Sequence, residues 1–196
     1  MGAITRTLAN NLTTGLGASP TRKLLNTTTV SSDVSNINFD NTLITTTYQA
    51  YEILIEFLQT DHSSGNEIQM AYSTDNGSSF VSTLDEVLTR DRNDDTVNQN
   101  FRELAQNQST HMIMSGLENS SASFGSGLIK VYQPMTSGFN TLIQVQTSNT
   151  VPAHGNNVRV VLGAVQENGG SQINYIRIQP DGGNISAAKI KLYGVS

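Results

Sequence analysis

Cysteine and tryptophan do not occur among the 196 residues, and charged side chains make up only 14% of them. Without cysteine the chain forms no disulfide, no cysteine-ligated zinc site and no catalytic thiol. Without tryptophan it lacks the best aromatic platform for stacking on sugar rings, which disfavours a lectin. Thr, Ser and Asn fill the gap, and these residues suit the solvent-facing sides of sheets and the loops between them.

Long apolar runs and clusters of basic residues are missing as well. No apolar stretch approaches the roughly 20 residues of a membrane-spanning helix, so we expect no membrane insertion. The net charge of −5 and the pI of about 5.0, without a Lys/Arg cluster, argue against a nucleic-acid partner. That net charge is also small for a disordered chain. The composition therefore favours a folded β protein with polar outer faces.

The first 24 residues differ from the rest of the chain and are predicted to form an N-terminal arm. Its apolar residues recur every four positions, as on one face of a short helix: Ile4, Leu8, Leu12 and Leu16. A single short helix is marginal alone in water, and this stripe needs a partner surface. We expect the arm to lie on a neighbouring subunit or on another protein, with a frayed terminus as the alternative.

Residues 25–196 are predicted to form a single β-sandwich domain. The clearest strand in the N-terminal half is 51–58, where Ile53, Ile55 and Phe57 share one face and should be buried, together with Ile176 or its strand neighbours. Two turn-rich segments are each predicted to close a hairpin: Asp75-Asn76-Gly77 and Pro180-Asp181-Gly182-Gly183-Asn184.

Nine or ten short strands with little helix favour a jelly roll. The exception is 83–109, where Thr83/Glu86 and Thr96/Gln99 have the spacing of a helix capping box. We therefore predict two short helical turns there, around a charged loop. The expected fold is all-β: a jelly-roll-like antiparallel sandwich with short helical turns in an insertion and an N-terminal arm.

None of the residues suited to catalysis or metal binding has the required spacing. The three histidines, His62, His111 and His154, lack zinc-ligand spacing. No nucleophile elbow or phosphate loop occurs. We therefore assign no catalytic, cofactor-binding or metal-binding residue, and we expect no enzymatic activity and no cofactor.

Acidic residues give two weaker candidates. Asp91, Asp94 and Asp95 could offer oxygen ligands to Ca²⁺, but they lack the EF-hand order, and Arg90 and Arg92 would repel a cation, so a solvated loop is favoured. Glu52 and Glu56 share one strand face about 13 Å apart, which is too far for the paired carboxylates of a glycosidase.

Two segments of the domain together resemble a known family. The stretches IQMAYSTDNGSSF (68–80) and INYIRIQPDGGNISAAKIKLYGV (173–195) resemble β-sandwich structural proteins of tailed bacteriophages. In these, a strand leads into Ser-x-Asp-x-Gly-Ser, and the domain closes with Ile-Arg-Ile, Gly-Asn-Ile and Leu-Tyr-Gly. Residues 4–11 are similar to their virion-attachment segments, whereas the insertion at 83–109 departs from the pattern.

The resemblance implies a non-enzymatic virion protein that forms a homo-oligomer, a trimer, and contacts other virion proteins through the arm. The expected role is a tail-fibre, receptor-binding or tail-attachment module, with a host-surface glycan as a further partner. Capsid decoration is the first alternative and a carbohydrate-binding module the second. A glycan-degrading enzyme is the most remote of the hypotheses.

Overall fold

The computed structural model describes residues 21–63, 65–94, 97–152 and 157–196. In these ranges the chain forms twelve strands: β1 (Arg22–Val30), β2 (Ile37–Phe39), β3 (Ala50–Thr60), β4 (Asn66–Ser73), β5 (Leu84–Asp94), β6 (Val97–Gln108), β7 (His111–Leu117), β8 (Gly125–Tyr132), β9 (Thr141–Val151), β10 (Asn157–Glu167), β11 (Tyr175–Pro180) and β12 (Ile185–Val195). Their pairings are antiparallel. The predicted all-β sandwich is confirmed. β1 begins three residues before the domain boundary predicted at Leu25.

Eight of the strands are connected as a jelly roll. The larger sheet has the order β1-β12-β3-β8-β9-β10-β5-β6, and the smaller has the order β2-β11-β4-β7. Within them β1 pairs with β12, β2 with β11, β3 with β8 and β4 with β7, so the pairs are nested and alternate between the sheets. This is the arrangement of one long hairpin rolled into a sandwich, as predicted.

The remaining four strands extend the larger sheet beyond the jelly roll. β5 and β6 are inserted between β4 and β7, and β9 and β10 between β8 and β11. The two insertions meet through the β10–β5 pairing, and together they add β9, β10, β5 and β6 next to β8. We call these four strands the extension.

The core lies between the two sheets and follows the alternation of the strands. Ile53, Ile55 and Ile176 are at most 1% exposed, as predicted. Phe57 is only half-buried, because a bulge changes the β3 register between Ile55 and Leu58 and turns Leu58 inward instead. The alternation of the sequence therefore holds for the first half of β3 and shifts by one residue in the second.

Side chains from the larger sheet donate hydrogen bonds to backbone carbonyls on the free edge of β7. The Thr147 hydroxyl donates to the carbonyl of Ile113, and the Asn149 amide donates to the carbonyl of Ser115 at 2.9 Å. Thr147 and Asn149 are each 3% exposed. These bonds join the two sheets and cover an edge that could otherwise pair with another chain.

The helical turns predicted in 83–109 are wrong, because this segment forms β5 and β6. The Thr83 hydroxyl donates to the carboxylate of Glu167 at 2.6 Å, so it does not cap a helix together with Glu86. Leu84, Glu86 and Leu88 are buried while Val87 is exposed, which is the two-residue period of a strand. Thr96, the cap of the second predicted turn, lies outside the described residues.

Both predicted hairpins are wrong in the same way, although their turns are present. Asn76 and Gly77 have positive φ angles of 59° and 88°, as an Asn-Gly turn requires. The following strand, β5, nevertheless pairs with β6 and β10 in the other sheet. The Pro180–Asn184 turn likewise connects β11 and β12, which belong to opposite sheets. In a rolled sandwich such turns carry the chain from one sheet to the other.

Candidate functional site

The outer face of the larger sheet is divided into a charged half and an uncharged half. In the charged half, Glu52 on β3 pairs with Arg22 on β1 at 2.8 Å and with Lys130 on β8 at 3.4 Å. The Arg22 guanidinium also lies 3.6 Å from the centre of the Tyr193 ring. This half of the face is a solvent-exposed lattice of ion pairs.

A second acidic residue continues this lattice. Glu56 pairs with Lys189 at 2.8 Å and also with Lys191, both on β12. Hydrogen bonds from the two lysines lower the pKa of Glu56, and the bond from Lys189 has the larger effect. The bond to Glu56 in turn raises the pKa of Lys191. Glu52 and Glu56, considered above as a carboxylate pair, therefore each bind cationic side chains of neighbouring strands.

The uncharged half lies on the extension and on the adjoining residue of β8. Its outward side chains form what we call the extension face: Val87, Thr89, Leu104, Leu128, Leu142, Gln144, Gln146, Val160, Leu162, Ala164 and Gln166. None of them carries a formal charge. Leu104 is 62% exposed, Val87 48%, and Leu142 and Leu162 41% each. Among the side chains that the structure describes, the charged ones beside this face are Asp85, Arg102 and Lys130, which lie opposite Gln166, Thr89 and Gln144 at its margin.

The extension face is uneven because the small Ala164 and the larger Leu162 lie next to one another on its surface. Ala164 is paired across the sheet with Val87 and Gln144, and its short side chain leaves a depression of about 530 Å³ lined also by Leu104 and Leu142. Leu162, two residues along the same strand, projects from the surface beside a second depression of about 430 Å³. The extension face thus carries an apolar projection next to a hollow that is lined mainly by apolar residues and also by Asp85 and Gln166.

The sequence of β10 contains a signal for this face. NVRVVLGAVQE is apolar on both sides, with Val161 and Val165 directed into the core and Val158, Val160 and Leu162 directed outward. Strands that read as continuously apolar are typical of sheets covered on both faces. No element of the described residues covers the outer side of β10 in the single chain.

His111 is buried in the sandwich and stacks against a tyrosine. Its Nε2 lies 2.6 Å from the Tyr72 hydroxyl, and its Nδ1 lies 3.4 Å from the Met112 carbonyl. The two rings are 5.6 Å apart and nearly parallel. Burial lowers the pKa of His111 to about 4 and raises that of Tyr72. The neutral imidazole accepts from Tyr72, which gives this histidine a role in packing.

The Asp75 loop is a set of hydrogen bonds within one turn. The Asp75 carboxylate accepts from the Ser73 hydroxyl and from both the backbone N–H and the hydroxyl of Ser79, which lowers its pKa to about 2. The Ser73 oxygen in turn accepts from the Gly77 N–H at 2.9 Å. This chemistry fixes the crossing from β4 to β5.

The remaining candidates can be placed only in part. Asp91 and Asp94 belong to β5, but their side chains, and Asp95 and His154 entirely, lie outside the described part of the chain. His62 lies in the loop after β3. The described residues include no group of three His, Cys, Asp or Glu placed to hold a metal ion. The proposed assembly residues of the arm, Ile4, Leu8, Leu12 and Leu16, also fall outside the described ranges.

Among the described residues, none belongs to a helix with the length and hydropathy needed to cross a membrane. Comparisons of the chain with protein-family models, with curated proteins and with solved structures find no match. The jelly-roll topology and the extension face therefore carry the functional argument.

Proposed function

We propose that this chain is a non-enzymatic structural component of a bacteriophage particle. The single observation that carries the assembly role is the extension face, an uncharged surface with Leu, Val and Gln side chains on which Val87, Leu104, Leu142 and Leu162 are exposed together. A contiguous apolar patch of this kind, surrounded by polar residues, is typical of a surface that binds another protein. Depletion of charge is the compositional mark of an interface centre.

The bacteriophage assignment rests on the resemblance of the two segments at 68–80 and 173–195. Both segments form a strand followed by a sheet-crossing turn, and both lie in the jelly-roll part of the chain. The extension, which includes the 83–109 segment that departs from the resemblance, is then an addition to a common sandwich. The tail is the proposed location, as a fibre, receptor-binding or attachment module, and capsid decoration is the alternative.

The contacts of four described acidic and histidine residues support a structural role. Glu52 and Glu56 bind cations on neighbouring strands, Asp75 closes a turn, and His111 packs on Tyr72 in the core. Each of these groups has a partner that stabilises the fold. These four residues are thus engaged in structural contacts.

Quantitative mass spectrometry of purified particles of the phage that encodes the chain tests this proposal. We expect the protein in the particles at a fixed stoichiometry: a few to a few dozen copies for a tail component, and a far higher copy number for a decoration protein. Absence from washed particles, with the protein present in the infected cell, would contradict a structural role.

Deleting residues 1–20 tests the proposed role of the arm. We expect the shortened protein to keep its folded domain but to be lost from the particles.

A further inference from the structure

We infer that the extension face is a self-association surface, on which a second copy of this chain packs its own extension face. The inference deepens the proposed structural role and rests on it, because it names the partner of the surface. It is carried by four properties of the face: its neutrality, its shape, its hydrogen-bonding groups and its size.

Neutrality permits identical faces to meet. In a contact between two identical surfaces related by a two-fold axis, residues near the axis meet their own copies. Lys189 and Lys191 of the charged half would meet like charges there, and like-charge contacts are costly. The extension face brings together no formal charges at its centre. Asp85 and Arg102 at its margin provide charges of both signs that can pair across the axis.

The shape of β10 is complementary to itself. Leu162 projects and Ala164 leaves a hollow, and the two residues are about 7 Å apart along the strand. A two-fold axis that passes between them places the Leu162 side chain of each copy over Ala164 of the other. Leu104, Leu142 and Val87 then contribute apolar contacts to the inserted side chain, and Asp85 and Gln166 line the same hollow.

The polar members of the face can also pair with themselves. Gln144, Gln146 and Gln166 are exposed and carry amides that each offer donors and an acceptor. Two such amides bond to one another without a charged partner. With Leu162 placed over Ala164, Gln146 of each copy lies over Gln144 of the other, because these two glutamines pair with Leu162 and Ala164 across the sheet.

The size of the face is at the lower limit of a specific interface. Five strands about 4.8 Å apart and six residue steps of about 3.4 Å give an area of roughly 500 Å². Two copies would bury about 1,000 Å², which is close to the minimum for a biological contact. Because sheet-on-sheet contact of identical faces closes after two copies, the expected species is a dimer in reversible exchange with the monomer.

Sedimentation equilibrium over a range of concentrations tests this inference on the isolated full chain. The wild type, of 21.1 kDa, is expected to reach twice that mass as its concentration rises. Leu162→Lys should weaken the dimer at least about a hundredfold, because it places two like charges near the axis. Leu24→Lys is the matched control, since Leu24 is 48% exposed on β1 of the same sheet but lies in the charged half, and it should dimerise as the wild type does.

Mixing the Leu162→Lys and Leu162→Glu variants should restore the dimer, because opposite charges then meet across the axis. Circular dichroism spectra and thermal midpoints that match those of the wild type show that each variant is folded.

A strictly monomeric wild type would overturn the inference, even if the protein is found in particles. So would a trimer, which the phage resemblance implies, or any oligomer that Leu162→Lys leaves intact. Loss of the dimer on deleting residues 1–20, with Leu162→Lys having no effect, would assign the contact to the arm and not to the extension face, and would also overturn the inference.

Discussion

At the scale of single residues, two sets of polar side chains stabilise the fold through specific partners. His111 and Tyr72 are enclosed by the core and bonded to one another, and the Asp75 carboxylate holds three donors of its own loop. Gly77 shows why small residues are needed beside such groups. Its φ angle is positive, and a Cβ there would lie 2.8 Å from the Tyr175 ring.

The buried imidazole gives the protein a pH dependence of known sign. Burial lowers the pKa of His111 from 6.5 to about 4, so between these values the unfolded chain carries a proton that the folded chain does not. The free energy of unfolding should therefore fall as the pH falls through this window, by up to about 1.4 kcal/mol per pH unit. Urea unfolding at about pH 7.5 and about pH 5 measures the change, above the range where carboxylates of lowered pKa become protonated.

Two substitutions separate this effect from simple loss of packing. His111→Gln keeps a polar partner for Tyr72 but does not titrate, so its pH dependence should be shallower than that of the wild type. Tyr72→Phe should destabilise the protein by about 1–3 kcal/mol at both pH values, because the ring nitrogen is left without its donor, and should retain the pH dependence. Equal pH dependence in His111→Gln and the wild type would show that other groups cause it.

At the scale of elements, local sequence patterns predicted the strands well and their pairing poorly. The alternation of β3 and the turn at Asn76-Gly77 were both recognisable from neighbouring residues. A strand and a turn depend on local periodicity and on permitted φ angles, which a single sequence contains. Whether the next strand returns to the same sheet or crosses to the other depends on contacts distant in sequence.

The extension illustrates the same division. The capping-box spacing at Thr83 and Glu86 favoured helix, but the Thr83 hydroxyl is bound by Glu167, 84 residues away. The extension exists because two separate insertions pair with each other through β10 and β5. The one local signal for its outer face was the apolar character of β10 on both sides. The other members of the face become neighbours only through strand pairing.

The contact between β9 and β7 is an element-scale feature that mutation can test. The buried Thr147 hydroxyl donates to the carbonyl of Ile113, on the free edge of β7. Thr147→Val keeps the size of the side chain but leaves this carbonyl without its donor, so we expect the free energy of unfolding to fall by about 1–3 kcal/mol in urea titrations. Thr29→Val, at an exposed position on β1, should change it by less than about 0.5 kcal/mol. Equal effects of the two substitutions would show that the bond contributes nothing.

At the scale of the whole molecule, the jelly roll and the extension have different roles. The nested strand pairs build one core between two sheets, and the ion pairs of Glu52 and Glu56 keep half of the outer face hydrophilic. The extension adds area to the larger sheet and supplies the apolar half of that face. The sandwich thus provides stability, and the extension provides the surface by which we propose the molecule assembles.

We propose that the extension face is covered when the protein is assembled. Side-chain oxidation followed by mass spectrometry measures this directly, on the dilute isolated chain and on the chain within its particles. We predict that Leu142 and Leu162, exposed in the single chain, fall on assembly towards the labelling of the buried Leu88, whereas the loop residue Phe139, 59% exposed, stays fully labelled. Undiminished oxidation of Leu142 and Leu162 within the particles would contradict the account.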